Sequence, residues 1–154
     1  MSELLFGIWD NKIVDNRQGQ HGQSPLPAFA NLTYSEDNRV LAVMGWDGFA
    51  LYDSSVDLVD MARAYMDVVQ GESCGKCVPC RVGGRRMLEI LTRITEGNGE
   101  LEDIPKLEEI AAGMQSGALC ALGQLTPGPV LSALRFFREE FEAHITDKRC
   151  AALQ

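Results

Sequence analysis

Residues 72–81 read ESCGKCVPCR, and this short stretch places Cys74, Cys77 and Cys80 at two-residue spacing. A fourth cysteine, Cys120, follows far downstream. Iron–sulfur clusters are held by cysteine thiolates, and a loop that contains glycine and proline can wrap three thiolates around one body. A remote fourth cysteine then closes the site and ties two parts of the fold together. The pattern therefore predicts a [4Fe–4S] cluster on Cys74, Cys77, Cys80 and Cys120.

Two other interpretations of these cysteines stay open on spacing alone. A structural zinc site also uses four cysteines, but it normally pairs two separate C-x2-C units so that the ligands are tetrahedral. Here the two units overlap, and Cys77 is shared between them. Redox-active or unpaired thiols are the third interpretation. The spacing favours the cluster over zinc, and zinc over free thiols.

The composition is that of a soluble globular protein. Hydrophobic residues make up 45% of the 154 residues and charged residues 23%. No apolar run approaches the roughly 20 residues that span a bilayer, and the N-terminus lacks the basic start and long apolar run of a signal peptide. We therefore expect a cytoplasmic protein without a transmembrane segment, in which cysteines hold metal more often than they form disulfides. Cys150, in the tail, is interpreted as an incidental surface thiol.

The charge distribution bears on the partner. A net charge of −8 argues against nucleic acid, because phosphate binding requires a surplus of lysine and arginine. The sign reverses near the cysteine loop, where cations outnumber acids: Lys76, Arg81, Arg85, Arg86 and Arg93 against Glu72 and Glu89. A cluster held by four thiolates is an anion, so nearby cations are expected to favour its reduced form and raise its potential. A solvated helix face without such a role is the alternative, and for Arg93 it is the favoured one.

The hydrophobic pattern divides the chain near residue 50. Short apolar runs at 4–9, 12–14 and 39–44 predict β-strands, and the polar stretch 17–27, which contains glycine and proline, predicts a loop. We interpret residues 1–49 as a segment of short strands and loops with little core of its own. Such a segment suits docking on a partner subunit.

The rest of the chain predicts helices. Apolar residues recur at helical spacing in four stretches, which start at Ser54 or Ser55 and at residues 82, 104 and 129. The second helix directly follows Cys80, so its dipole and free backbone N–H groups point at the cysteine site. The predicted fold is therefore mainly α, a four-helix bundle over residues 50–147 that carries one [4Fe–4S] cluster at its end. Residues 148–154 form a tail.

Residues 50–147 resemble the C-terminal iron–sulfur domain of the NADH-binding flavoprotein subunit of respiratory complex I. Related domains occur in NAD-linked hydrogenases and formate dehydrogenases. The matching residues are ESCGKCVPCR at 72–81 with Gly83, then Cys120, then FREEFEAHI at 137–145. The resemblance implies a [4Fe–4S] cluster on Cys74, Cys77, Cys80 and Cys120 inside a helical bundle.

In that family the cluster domain follows a large flavin and nucleotide domain and a ubiquitin-like linker domain. The glycine-rich flavin-binding stretch has no counterpart here, and Gly83 and Gly84 belong to the cysteine loop and its helix. Fewer than fifty residues precede the matching region, too few for a nucleotide-binding α/β domain. We therefore expect a stand-alone small subunit with no FMN or NAD bound to this chain.

Two functions from different classes follow. The first is a non-catalytic electron-transfer subunit that relays single electrons between a flavoprotein, or another NAD(P)H-linked redox subunit, and a second redox centre in a larger oxidoreductase complex. The second is a structural or regulatory interaction module that a zinc or iron–sulfur site stabilises. Ser73 and His144 lack the neighbours that a nucleophile and a general base require, so no residue is predicted to make or break bonds.

Overall fold

The computed structural model describes residues 4–18 and 30–148, in which an antiparallel sheet packs against a layer of helices. The strands are β1 (Phe6–Trp9), β2 (Lys12–Asp15), β3 (Leu32–Glu36), β4 (Arg39–Gly45) and β5 (Gly48–Leu51). The helices are α1 (Leu58–Glu72), α2 (Gly84–Thr95), α3 (Asp103–Gly117), α4 (Ala121–Leu125), α5 (Pro127–Phe136) and α6 (Arg138–Thr146). A π-helical turn (Pro79–Gly83) leads into α2. The described chain is thus mainly helical, with one five-stranded sheet.

The sheet has the strand order β2-β1-β5-β4-β3, and every pair is antiparallel. The β1–β2 hairpin turns at Asp10 and Asn11, and both residues have positive φ, 49° and 60°. Asparagine and aspartate tolerate this conformation, which matches the twist of the flanking strands. Three strands coincide with the predicted apolar runs, whereas β3 and β5 were not predicted. Most of the predicted loop at 17–27 lies outside the described residues.

The helix α1 begins later than the sequence predicted. Its N-cap is Asp57, whose carboxylate accepts hydrogen bonds from the backbone N–H groups of Val59 and Asp60, and the serine N-cap was wrong. Ser55 instead donates its backbone N–H to Asp53 in the turn before the helix. An aspartate that satisfies two orphan N–H groups is a strong helix start.

The last predicted helix is interrupted. One continuous helix was expected from residue 129 to residue 145, but Phe137 leaves the helical conformation with φ −131° and ψ 34° and separates α5 from α6. The Phe137 ring packs edge-on against Phe6 of β1, with ring centroids 5.0 Å apart. Packing of this aromatic side chain on the sheet accompanies the break in the helical repeat.

The sheet and the helices share one hydrophobic core. Phe6 and Phe49 on the sheet meet Phe136 and Phe137 from the helices, and the core continues through residues of α1, α2, α3 and α6. The predicted division near residue 50 falls within β5. Among the described residues, no helix is long and apolar enough to cross a membrane.

Candidate metal centre

The first cysteine loop connects α1 to the π-helical turn. It starts where Ser73 donates its backbone N–H to the carbonyl oxygen of Val69, and it bends at Gly75, which has φ +70°. The Arg81 guanidinium donates to the carbonyl oxygen of Gly75 at 2.8 Å and so ties the end of the loop to its beginning. The left-handed backbone at position 75 suits glycine, because a residue with a side chain would be strained there.

Cys80 lies inside the helical turn and not before it. The sequence predicted a helix from residue 82, but helical structure begins at Pro79, and Arg81 already donates its backbone N–H to Cys77 at 3.0 Å. Proline suits the first turn of a helix because its missing N–H has no intrahelical partner there. The helix N-terminus therefore includes the last cysteine of the motif.

The second cysteine loop joins α3 to α4 and carries Cys120. Cys120 is extended, with φ −134° and ψ 166°, and it immediately precedes α4. The Gln124 amide donates to the carbonyl oxygen of Ala118 at 2.9 Å, which closes this loop across its base. Leu119, which lies between Ala118 and Cys120, is 74% exposed.

The two cysteine loops are in contact. The sulfur of Cys77 accepts the backbone N–H groups of Leu119 and Cys80. These contacts, with that of Leu119 the larger, lower the pKa of the Cys77 thiol because hydrogen bonds stabilise the thiolate. A β-carbon on Gly123 of α4 would lie 2.6 Å from the Ala118 β-carbon and 3.1 Å from the Cys80 β-carbon. Only a residue without a side chain fits at Gly123 without displacing its neighbours.

The four cysteines differ in exposure. Cys80 is 7% exposed and Cys77 is half-buried, whereas Cys74 and Cys120 are exposed. In the described part of the chain, no three histidine, cysteine, aspartate or glutamate side chains form a ready metal-binding group. The structure therefore brings the two cysteine loops together without gathering the thiols around one point. Cys150 lies outside the described residues.

The donor chemistry fits an iron–sulfur cluster. Two touching loops present four soft sulfur ligands, and backbone N–H groups already favour the thiolate form of one of them. Soft thiolates select zinc, copper(I) and iron–sulfur clusters over hard cations. Hydrogen bonds to the sulfurs are a feature that iron–sulfur sites use to set their potential.

The Ser73 hydroxyl contacts the last cysteine of the first loop. Its hydroxyl oxygen lies 3.3 Å from the Cys80 sulfur and accepts the backbone N–H of Gly75, also at 3.3 Å. When Cys80 is a thiolate, its sulfur can only accept, so the Ser73 hydroxyl is the donor. Ser73 thus bonds within the loop.

The cations near the cysteine loops fall into two groups. Lys76, Arg81 and Arg85 are exposed, and no carboxylate of residues 4–18 or 30–148 is within 4.0 Å of their side-chain nitrogens. In the second group, Arg86 pairs with Glu89 at 2.7 Å and Arg93 pairs with the buried Asp103.

Asp103 belongs to the fold. Its other carboxylate oxygen accepts the backbone N–H of Glu100, so it joins α2 to the start of α3. Sequence reasoning missed this residue, because nothing in its neighbourhood shows that it is buried.

Fold and site together define a class: a mainly helical domain with a cysteine centre built from a C-x2-C-x2-C loop and one remote cysteine. Residues 60–144 match the family described as the NADH-ubiquinone oxidoreductase-F iron-sulfur binding region. The chain belongs to this family, and the resemblance stated from the sequence is confirmed. The family is of the 4Fe-4S type, which confirms the predicted cofactor.

Relatives from several oxidoreductases are similar to this chain. The NADP(+)-dependent formate dehydrogenase subunit beta of Moorella thermoacetica is 39% identical over 149 residues, which cover 96% of this chain and 20% of that protein. The NADP-reducing hydrogenase subunit HndC of Solidesulfovibrio fructosivorans is 41% identical over 111 residues, covering 72% and 23% respectively. The chain thus spans about a fifth of the length of these relatives.

A solved structure gives the same result at the level of the fold. The structure of an NAD+-reducing [NiFe]-hydrogenase in the H2-reduced state matches with a TM-score of 0.60 and 27% sequence identity. The match covers 62% of this chain and 17% of that chain. The sequence similarity therefore extends to a shared three-dimensional arrangement.

Proposed function

We propose that this chain relays single electrons through one [4Fe–4S] cluster held by Cys74, Cys77, Cys80 and Cys120. The relay operates between a flavoprotein and another redox centre, within a larger NAD(P)H-linked oxidoreductase complex of the reducing cytoplasm. The chain makes and breaks no bonds of a substrate, and no FMN or NAD is assigned to it.

The observation that carries the ligand assignment is the contact between the two cysteine loops. Leu119, the neighbour of Cys120, donates its backbone N–H to the Cys77 sulfur, and Gly123 lies against Cys80. We assign Cys74 and Cys120, whose side chains are exposed, as the other two ligands of a four-thiolate site. These contacts support Cys120 as the remote ligand.

The protein's own groups set the conditions for the relay. A bound [4Fe–4S] cluster supplies one-electron oxidation and reduction. The thiolates hold it, while the Ser73 hydroxyl and the N–H groups of Leu119 and Cys80 neutralise charge at the sulfurs. The exposed cations Lys76, Arg81 and Arg85 add positive potential, which favours the reduced form.

The proposal assigns parts of the chain to different tasks. Residues 50–147 are the cluster-binding domain, in which α1, α2, α3 and the pair α5–α6 serve as a four-helix bundle. The strands of residues 1–49 complete the core through the side chains of Phe6, Met44 and Phe49, and we assign the docking of a partner subunit to this segment. Residues 148–154 are a tail without a role in the metal centre.

The names of the relatives support the kind of partner. They are called subunits of a formate dehydrogenase and of a hydrogenase, both of which use NADP. We extend this to the present chain and assign it redox partner subunits that bind flavin or NAD(P)H. Identification of the proteins that co-purify with the native chain tests this assignment directly.

Metal analysis of anaerobically purified protein tests the cofactor part of the proposal. We expect a brown protein with about four irons and four sulfides per chain. A colourless protein with one zinc per chain would contradict the electron relay and favour an interaction module that zinc stabilises.

A further inference from the structure

We propose that the two cysteine loops form a docking surface for an acidic electron-transfer protein. This surface, called here the cysteine-loop surface, has an apolar centre of Val78, Val82 and Leu119 and a cationic rim of Lys76, Arg81 and Arg85. The inference rests on the proposed electron relay and adds the chemistry of the partner and the place where it binds.

The apolar centre stands out from the rest of the surface. Val78 is 57% exposed, Val82 is 47% exposed and Leu119 is 74% exposed. The other large apolar side chains exposed in the described part of the chain are Ile13, Val40, Leu101 and Leu125. Clustered exposed apolar side chains mark interaction sites, whereas scattered ones need no explanation.

Contacts within the site place these side chains on neighbouring loops. Val78 follows Cys77, and Leu119 donates its backbone N–H to the Cys77 sulfur. A β-carbon on Gly117 would lie 3.1 Å from the ring of Pro79, so the start of the second loop touches the turn that carries Val78 and Val82. Exposed apolar side chains therefore lie next to the cysteines in sequence on both of the touching segments.

The rim selects the charge of the partner. Lys76, Arg81 and Arg85 are exposed and have no carboxylate within 4.0 Å among the described residues, while the chain as a whole carries −8. The nearby Glu72 accepts a hydrogen bond from the Asn31 amide at 3.4 Å. A local positive rim on a negative protein attracts acidic surfaces and repels basic ones at short range.

The exposed cysteines place the metal centre close to this surface. Cys74 and Cys120 are exposed within it, so thiolates at these positions hold their metal next to any protein bound there. A partner that covers Val78, Val82 and Leu119 removes these side chains from water and comes close to the metal centre at the same time.

Two haem proteins of opposite charge test the proposal by stopped-flow kinetics. The anaerobically reduced chain is mixed with acidic cytochrome b5 and, separately, with basic cytochrome c over a series of salt concentrations. Docking on the cysteine-loop surface predicts that the rate with cytochrome b5 falls as salt rises, whereas the rate with cytochrome c does not. If the net charge of −8 instead controls the encounter, the rate with cytochrome b5 rises as salt rises and the rate with cytochrome c falls.

Charge-reversal variants show which cations cause the salt dependence of the rate with cytochrome b5. Lys76→Glu/Arg85→Glu is expected to lower the rate with cytochrome b5 at low salt at least tenfold. The matched control Lys12→Glu/Arg39→Glu changes the total charge equally on the sheet and is expected to change the rate less than twofold. Arg85→Glu alone, which leaves the loop sequence intact, decides the matter if the double variant loses iron.

The possible outcomes separate the two proposals. Reversed salt dependence, or an equal effect of the sheet control, overturns the docking surface while the relay stands. A chain without reducible iron overturns the relay and with it the redox role of this surface. Iron content and reduction potential are measured for every variant, so that a rate change from an altered cluster is recognised.

Discussion

At the scale of single residues, the metal centre depends on small contacts around Cys77 and Cys80. The Cys77 sulfur accepts backbone N–H groups from both cysteine loops, and the Cys80 sulfur lies beside the Ser73 hydroxyl. Each contact stabilises negative charge on a sulfur, which is what a thiolate ligand requires. These residues therefore make distinct and separately testable contributions.

The choice of Cys120 as the fourth ligand predicts a difference between two serine variants. Cys120→Ser is expected to lose most of the bound iron or to yield an incomplete cluster, because a hydroxyl is a poor substitute for a thiolate. Cys150→Ser is expected to retain the iron content of the parent protein. Iron and sulfide analysis after anaerobic purification distinguishes them, and equal loss in both variants would show that the fourth ligand is misassigned.

The Ser73 hydroxyl predicts a shift in reduction potential. Ser73→Ala removes a hydrogen-bond donor from the Cys80 sulfur, so the reduced and more negative cluster is less stable and the potential falls. A tenfold change in the ratio of reduced to oxidised cluster corresponds to about 59 mV for a one-electron couple. Ser73→Thr retains the hydroxyl and serves as the control. An unchanged reduction potential in Ser73→Ala, with full iron content, would show that the Ser73 hydroxyl does not act on the cluster.

Gly123 and Gly113 form a matched pair for testing the packing between the cysteine loops. Gly123→Ala places a β-carbon 2.6 Å from that of Ala118 and 3.1 Å from that of Cys80, so we expect reduced iron occupancy. A β-carbon on Gly113 in α3 meets nothing within 4 Å, so Gly113→Ala is expected to stabilise the fold by up to about 1 kcal/mol. Normal iron content in Gly123→Ala would contradict the packing argument.

At the scale of elements, the N-terminus of α1 is held by α6. The imidazole of His144, 5% exposed, has one nitrogen 3.1 Å from the Asp57 carboxylate and the other 2.9 Å from the Glu140 carbonyl oxygen. Both neighbours are acceptors, so a doubly protonated ring satisfies them. The Glu140 carboxylate in turn accepts the backbone N–H of Leu58. This network joins the last helix to the first.

The network predicts that stability falls as pH rises. The hydrogen bond to Asp57 raises the pKa of His144, so its stabilising effect is full below about pH 6.5 and is lost as pH rises through the folded pKa. Burial raises the pKa of Glu140, whose ionisation therefore destabilises the fold in the same direction. Thermal unfolding from about pH 4 upward measures the combined effect, because the contribution of Glu140 begins to be lost above its unfolded pKa. His144→Gln is expected to weaken the pH dependence of the melting temperature near neutral pH. An unchanged pH dependence would contradict the role of His144 in this network.

At the scale of the whole molecule, the sequence predicted the helices better than the sheet. The cysteine spacing and the periodic apolar residues of α1, α2 and α3 are local features, and local features can be read from one chain. The strand β5 (Gly48–Leu51) was missed because it is stabilised by pairing with β1 and β4, which a local pattern does not show. The break at Phe137 was missed because it accompanies packing on the distant residue Phe6.

The metal centre itself shows the same limit. Spacing identified four cysteines but left iron and zinc open, since both use soft sulfur ligands. The contact between the two cysteine loops, which involves Leu119 and Gly123, depends on how α3 and α4 pack on the π-helical turn. No pattern along the chain encodes that arrangement: the sequence predicted that Cys120 joins the first loop, but not which residues make the contact.

The central claim is that one cluster on this chain carries one electron at a time. A redox titration of the anaerobic protein, followed by electron paramagnetic resonance, tests it most directly. We predict one paramagnetic species in the reduced protein, about one spin per chain, with a Nernst slope of about 59 mV per decade for a one-electron couple. Two species with separate potentials, or zinc-containing protein without any signal, would contradict the claim.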